Sequence, residues 1–260
     1  MAEQKKEKLP INVLLEHLIE HKDAVIVLGP DILEDGKQFE IDESTYSFYN
    51  RKLMIKEPHD FWKYYSDNIM NPLAITNKTT KQINALLSMG LHSSVIDTNI
   101  VKTIAPNYKV TSPNGKNNVL ECVKCHKVYE ADSMIRELGT TKSVVKCECG
   151  GKIKPTVLYH GERYSQPLYE SIKNSIFIEE KGAPTLNTHT LVFIGVDFTD
   201  SLVSELIDSY DALKDYNHFT VVITDKKNGD DLYYYNPEFG VIDDLDQALE
   251  RLMTLIKEKE

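Results

Sequence analysis

All four cysteines of the chain fall between positions 122 and 149, as Cys122-x-x-Cys125 and Cys147-x-Cys149 with 21 residues between the pairs. Two close pairs of thiols supply the soft tetrahedral ligand set that zinc takes in structural sites. In a reducing compartment such clustering reads as metal ligation before disulfides. Gly150-Gly151 follows the second pair and lets the backbone turn with its N–H groups toward sulfur. Four sulfurs leave no coordination position open, so the predicted zinc is structural and not catalytic. The second pair is Cys-x-Cys where Cys-x-x-Cys is the usual spacing, and His126, beside Cys125, is a candidate substitute ligand.

The elements that must hold this motif alternate. Residues 11 to 21 place Ile11, Leu14, Leu15, Leu18 and Ile19 on one helical face, and Asp23-Ala24-Val25-Ile26-Val27-Leu28-Gly29-Pro30 is a short apolar run ended by Gly-Pro, the pattern of a strand buried on both faces. The same strand pattern recurs at Ser94–Ile96, Thr156–Leu158, Thr190–Gly195 and Phe219–Thr224, with helical spacing over 79–90, 166–178 and 199–213. A last amphipathic helix, Asp243 to Lys257, carries Leu245, Ala248, Leu249, Leu252 and Leu255 on its core face. Strands alternating with helices predict an α/β fold, a Rossmann-like doubly wound parallel sheet. Two stretches break the alternation and read as insertions. Residues 36–72 are polar and aromatic, a small helical insertion, and residues 119–155 are a small zinc-ribbon domain. The Rossmann-like domain is then 9–35, 73–118 and 156–257.

A Rossmann-like chain with a mid-chain zinc ribbon closed by Cys147-Glu148-Cys149-Gly150-Gly151-Lys152-Ile153-Lys154-Pro155, running on to His160-Gly161-Glu162, resembles the sirtuins, Sir2-like NAD-dependent protein deacylases. The resemblance covers about residues 10 to 255, sharpest around the ribbon. It implies an NAD crevice, and the chain departs from the family at each of its landmarks. Where sirtuins have Gly-Ala-Gly-Ile-Ser, this chain has Gly29-Pro30-Asp31-Ile32-Leu33, with a carboxylate beside the expected pyrophosphate. The family's Gly-Ile-Pro-Asp-Phe-Arg falls on Gly36-Lys37-Gln38-Phe39-Glu40, without an Arg at its end. Thr-Gln-Asn-Ile-Asp becomes Asp97-Thr98-Asn99-Ile100-Val101, and Gly-Thr-Ser becomes Gly195-Val196-Asp197. The catalytic His-Gly, eight residues before the first zinc cysteine, lands on Asn114-Gly115. An amide has no pKa near neutrality and cannot serve as the general base. The resemblance thus places family catalytic positions at Asn114 and Asn99 and cofactor contacts at Gly29, Asn99, Gly195 and Asp225. His92, His160 and His189 are the histidines that a relocated base would draw on.

Composition narrows the classes of partner. Hydrophobic residues make up 41% and charged residues 27%, as in a folded globular chain, and the net charge of −10 repels nucleic acid at long range. The basic positions Lys5, Lys6 and Lys8 are interspersed with acids and carry no function. The first residues lack the apolar core of a signal peptide and no apolar run is long enough to span a bilayer, so a cytoplasmic protein without membrane or nucleic-acid partners is expected. The aromatic residues of segment 46–65 and Tyr233-Tyr234-Tyr235 read as core caps, with a contact surface as the alternative. Together these readings predict a sirtuin-like pseudoenzyme: zinc is kept, binding of NAD or ADP-ribose is weak or absent, and the remaining use is to bind a protein partner or a nucleotide-like ligand. The alternative is an NAD-consuming enzyme with altered residues, a lysine deacylase, ADP-ribosyltransferase or NAD hydrolase.

Overall fold

Runs of Val, Ile and Leu without polar alternation are stable only in a sheet covered on both faces. A computed structural model, which describes residues 11–33, 51–70, 76–105, 107–131, 142–158, 165–198, 200–224, 239–242 and 245–259, has such a sheet. In chain order its elements are α1 (Ile11–His21), β1 (Ala24–Leu28), a single turn at Pro30–Ile32, α2 (Arg51–Lys56), α3 (Pro58–Tyr64) running into a π-helical turn at Tyr65–Ile69, α4 (Lys78–Ser88) and β2 (His92–Asp97). These are followed by β3 (Val110–Thr111), β4 (Val119–Cys122), β5 (Val128–Glu130), β6 (Ile153–Pro155), α5 (Gln166–Ile176), β7 (Phe177–Glu180), β8 (Ala183–Leu186), β9 (Thr190–Ile194), α6 (Ser201–Asp211), β10 (Phe219–Thr224), β11 (Phe239–Ile242) and α7 (Leu245–Lys259).

Six strands form a parallel sheet in the order β11-β10-β9-β1-β2-β3. Every residue of β1 and β9 is buried, as two covered faces require. Side chains alternate across the pleat. Ile26, Leu28, Val192, Ile194, Val221 and Ile223 join the core under α1, α4 and α7, whereas Val25, Val27, Ile96, Leu191, Phe193 and Val222 join the core under α5 and α6. The chain leaves β1 toward β2 and β3, then returns to the other side of β1 at β9. The reversal of strand order therefore falls between β1 and β9, where doubly wound sheets open a crevice beyond their carboxyl ends. No described helix is long and apolar enough to cross a membrane.

Two of the helices, α4 and α6, start where a short polar side chain satisfies backbone N–H groups. Asn77 caps α4 in a reciprocal box with Thr80, and its Nδ2 also donates to the Ile32 carbonyl at 2.8 Å, tying this cap to the turn after β1. Asp200 caps α6 by accepting from Leu202 N.

Two readings from periodicity are corrected. Thr156-Val157-Leu158 is not a strand of the main sheet; the place beside β2 belongs to Val110–Thr111. Instead the Thr156 hydroxyl donates to the Lys116 carbonyl and accepts from Lys116 N, both at 3.0 Å, and Leu158 N donates to the Asn114 carbonyl. The helix read as 166–178 ends at Ile176, because Phe177 and Ile178 open the β7–β8 hairpin.

Within the segment read as a helical insertion, the described residues 51–56 and 58–69 are helical. Its aromatic residues are not a separate cluster. Met54, Phe61, Trp62, Tyr65 and Met70 share a core with Leu120, Cys122, Cys147 and Ile153 of the cysteine-bearing sheet β5-β4-β6, and Tyr65 donates to the Asn117 carbonyl at 2.8 Å. Phe61, Trp62 and Tyr65 are buried, as expected of core caps. Tyr46, Phe48, Tyr49 and Tyr233–Tyr235 lie outside the described residues.

Candidate functional site

The four cysteine sulfurs lie within 4.8 Å of one another, at the end of β4, in the turn after it and in the loop before β6. Cys122 and Cys149 are 3.5 Å apart and Cys125 and Cys147 3.6 Å, close to the edge of a sulfur tetrahedron around zinc, roughly 3.8 Å for Zn–S bonds of 2.3 Å. Backbone N–H groups of Lys124 and Gly151 point at Cys122 and Cys149 sulfurs, both at 3.4 Å. A Cβ at Gly151 would sit 2.5 Å from the Cys122 sulfur, so this position must be glycine for the knuckle to close. Tyr129 donates its hydroxyl to Cys147 at 3.0 Å and, with the Cys149 backbone N–H, pulls that thiol down to about 6. A thiolate is the form that binds metal. The donor set fits zinc. His126, exposed and at φ 57°, is not part of the converging group, so the alternative ligand is not used.

The other predicted positions gather at the carboxyl edge of the main sheet. Gly29 follows β1, Thr98 and Asn99 follow β2, and Gly195 to Asp197 follow β9. Gly29 and Gly195 abut at the strand-order reversal: a Cβ on Gly29 would lie 2.2 Å from the Val196 Cα and 2.3 Å from the Gly195 oxygen. Gly29 N donates to the Ile194 carbonyl and Asp31 N to the Gly195 carbonyl, both at 2.9 Å. Pro30 between them has no N–H. The Gly29 and Asp31 N–H groups of this turn are therefore taken up by the backbone at the end of β9, and the turn carries a carboxylate.

Asn114 joins this group from another direction. Its Nδ2 donates to the Thr98 carbonyl at 2.7 Å, and Gly115 after it adopts φ 76° with its Cα pressed on the Thr156 carbonyl, where a Cβ would come within 2.2 Å. Asn99 donates Nδ2 to the Gly29 carbonyl at 3.0 Å and to Asp97 Oδ1 at 2.8 Å. Both partners are acceptors, which fixes the orientation of the amide. Its Oδ1 is buried and finds no partner among the described residues.

Sequence reasoning missed the centre of this network. Asp97, 1% exposed, takes Lys116 Nζ at 2.7 Å and Thr103 Oγ1 at 2.9 Å, and Lys116 Nζ also reaches the Asn99 carbonyl at 2.8 Å. A buried charge needs such a partner. The available signal was Asp97 itself, an acid ending an apolar strand, with a lysine directly after Asn114-Gly115. Of the histidines considered as relocated bases, His92 begins β2 and His189 precedes β9, so both sit at the opposite, amino edge of the sheet and cannot reach Asn99 or Asn114. His160 and Asp225 lie outside the described residues, as does Gly36–Glu40.

Against known proteins, the model of the Sir2 family matches residues 34–180. The chain belongs to the Sir2 family. It is similar to NAD-dependent protein deacetylases of Sulfurisphaera tokodaii, 31% identical over 137 residues (52% of each chain), and of Thermodesulfovibrio yellowstonii, 33% identical over 113 residues (41% of this chain and 43% of that one). The matches span about half the length of these relatives. The Sir2 fold extends further than the sequence likeness. A structure of Sir2Tm bound to a propionylated peptide superposes with TM-score 0.70 over 95% of this chain and 98% of the other at 18% identity, and one of Sir2 with a p53 peptide and NAD+ with TM-score 0.67 over 95% and 98% at 17%.

Proposed function

We propose that this Sir2-family protein does not deacylate lysine and acts as a zinc-held binding module, in the reducing cytoplasm, whose crevice takes a protein partner or weakly takes a nucleotide-like ligand. The observation that carries this reading is the turn after β1, where Gly29 and Asp31 donate their N–H groups to residues 194 and 195 and Pro30 has none. A diphosphate placed there would meet the Asp31 carboxylate with the Gly29 and Asp31 N–H groups already engaged, and like charges a few ångströms apart cost on the order of 1 kcal/mol or more outside bulk water. NAD therefore does not fit the described residues well. Asn114 supports the same reading, since its amide is tied to the Thr98 carbonyl and offers no base.

A second reading rests on Asn99. Its buried, unpartnered Oδ1 would suit a ligand hydroxyl or N–H in the crevice, which favours an NAD-consuming enzyme with altered residues. Calorimetric titration with NAD, combined with chromatography of released nicotinamide, separates the two. The binding-module reading expects no binding tighter than about 100 µM and no nicotinamide release. A dissociation constant of about 10 µM or below, with release, would establish the enzyme reading instead.

The variant Asn114→His provides a sharper test. A positioned base contributes about 10²- to 10⁴-fold only when substrate is already held for attack, and residues 29–31 argue that NAD is not. The expected result with NAD and an acetyl-lysine peptide is no turnover above background. Turnover of roughly 1 s⁻¹ would mean that the cofactor site is intact.

A further inference from the structure

At the amino edge of the sheet, opposite the crevice, four histidines from three separate parts of the chain come together. His17 and His21 stand one turn apart on α1, His189 precedes β9 and His218 precedes β10. The ring centroids of His17 and His21 are 4.4 Å apart, those of His21 and His189 3.8 Å, and those of His17 and His189 6.0 Å. Three imidazoles on one tetrahedral metal ion have centroids roughly 5 Å apart, given metal–nitrogen bonds of about 2.0–2.1 Å. The spacings, 3.8 to 6.0 Å, bracket that value, with the His21 and His189 rings stacked at 17° and the His17 ring tilted to both.

Their outer bonds also match a metal site. A metal-binding histidine characteristically donates its other N–H to a carboxylate or a backbone carbonyl. Asp23 accepts from His189 Nδ1 at 2.7 Å while also accepting the His189 backbone N–H, which orients the ring and leaves Nε2 as the lone-pair nitrogen. A backbone group of His189 hydrogen-bonds the His17 ring, whose Nε2 is buried and has no partner among the described residues. His17 is only 9% exposed, and a nitrogen so placed needs an acceptor, a donor or an ion. His189, with its side chain 38% exposed, leaves the cluster open to entering ions.

We propose that His17, His21 and His189 form a second metal site, taking one late first-row divalent cation such as Zn²⁺, Ni²⁺ or Co²⁺ through three imidazole nitrogens, with the fourth position open to solvent. His218, itself paired with Asp215 at 2.7 Å, stacks on His189 at 5.3 Å and braces that ring without ligating. The column order His21, His189, His218 keeps it on the far side of His189 from His21. Among the described residues only the cysteine sulfurs already converge. His189 is held by Asp23, so it is the His17 and His21 rings that must turn about their Cβ–Cγ bonds to bring nitrogens toward His189 Nε2, with the backbone unmoved. Nitrogen ligands and an open position distinguish this site from the closed all-sulfur site of the ribbon.

Titrating tag-free, zinc-loaded full-length protein with Co²⁺ tests the proposal. One further equivalent should bind more tightly than about 100 µM, with the ligand-field bands of four-coordinate cobalt and without thiolate-to-cobalt charge transfer. The zinc already bound should stay in place. His21→Gln, on the outer part of α1, should abolish this equivalent with the fold preserved by circular dichroism. Asp23→Asn should weaken it about 10- to 100-fold, and His218→Gln should retain it. Absence of a second equivalent, its appearance only with thiolate charge transfer, or its survival in His21→Gln would overturn the proposal.

Discussion

Replacing Cys147 with serine is expected to cost the protein its zinc and the order of the β5-β4-β6 sheet while the six-stranded sheet survives. Zinc held by four thiolates contributes on the order of 10–16 kcal/mol to small domains at neutral pH, far more than the three short strands β4, β5 and β6 can supply from their own apolar contacts. Cys147 is the ligand that Tyr129 sets up as a thiolate. Serine offers a hydroxyl that stays protonated. The main sheet has its own cores on both faces, so its unfolding remains a separate event. The single tryptophan reports the difference. Trp62 is fully buried in the core that the helical segment shares with the ribbon. The expected outcome is zinc falling from about one equivalent to near zero, with Trp62 emission shifting to the red, and chelation of the unsubstituted protein should reproduce both changes. A variant that keeps a full equivalent of zinc, or chelation without effect on Trp62, would refute the account.

Gly29→Ala should be the most damaging single methyl group at the sheet. Its Cβ would lie 2.2 Å from the Val196 Cα and 2.3 Å from the Gly195 oxygen, and both are backbone atoms that no rotamer change can remove. Relief requires β1 and β9 to part at the strand-order reversal, where Gly29 N meets Ile194 O and Asp31 N meets Gly195 O. Overpacking of this kind costs about 3 kcal/mol or more. For a domain of this size that is a fall in melting temperature of roughly 6 °C or more. Gly90→Ala is the matched control: its φ is 67° but nothing lies within 4 Å of the added methyl, so only the backbone penalty, about 1 kcal/mol, is expected. Urea unfolding of the two variants measures both. Equal losses would show that the contact between Gly29 and Gly195 is looser than described.

Much of this protein was legible in local sequence. The apolar runs became β1, β2, β9 and β10 because a strand buried on both faces leaves a recognisable string of Val, Ile and Leu. The helical spacings became α4, α5 and α6, and the cysteine spacing named four sulfurs that do converge. Each of these signals lives within a few residues. Thr156–Leu158 misled because a short β-branched run does not say which backbone it will bond, and here it bonds the Asn114–Lys116 turn.

What the tertiary structure decided is what depends on partners far apart in the chain. A carboxylate at Asp97 could have faced solvent or ligand; the fold buries it and brings Lys116, itself half-buried, to within 2.7 Å. Gly29 reads as a phosphate-contact glycine in sequence, but parallel pairing with β9 uses its N–H and makes its missing side chain a packing requirement. Four histidines spaced over 200 residues share no local pattern beyond the single helical turn between His17 and His21. Only the common amino edge of a parallel sheet, where α1 and the entries to β9 and β10 lie side by side, places their rings within a few ångströms. Residue type sets which bonds are possible, and strand register then determines which of them form.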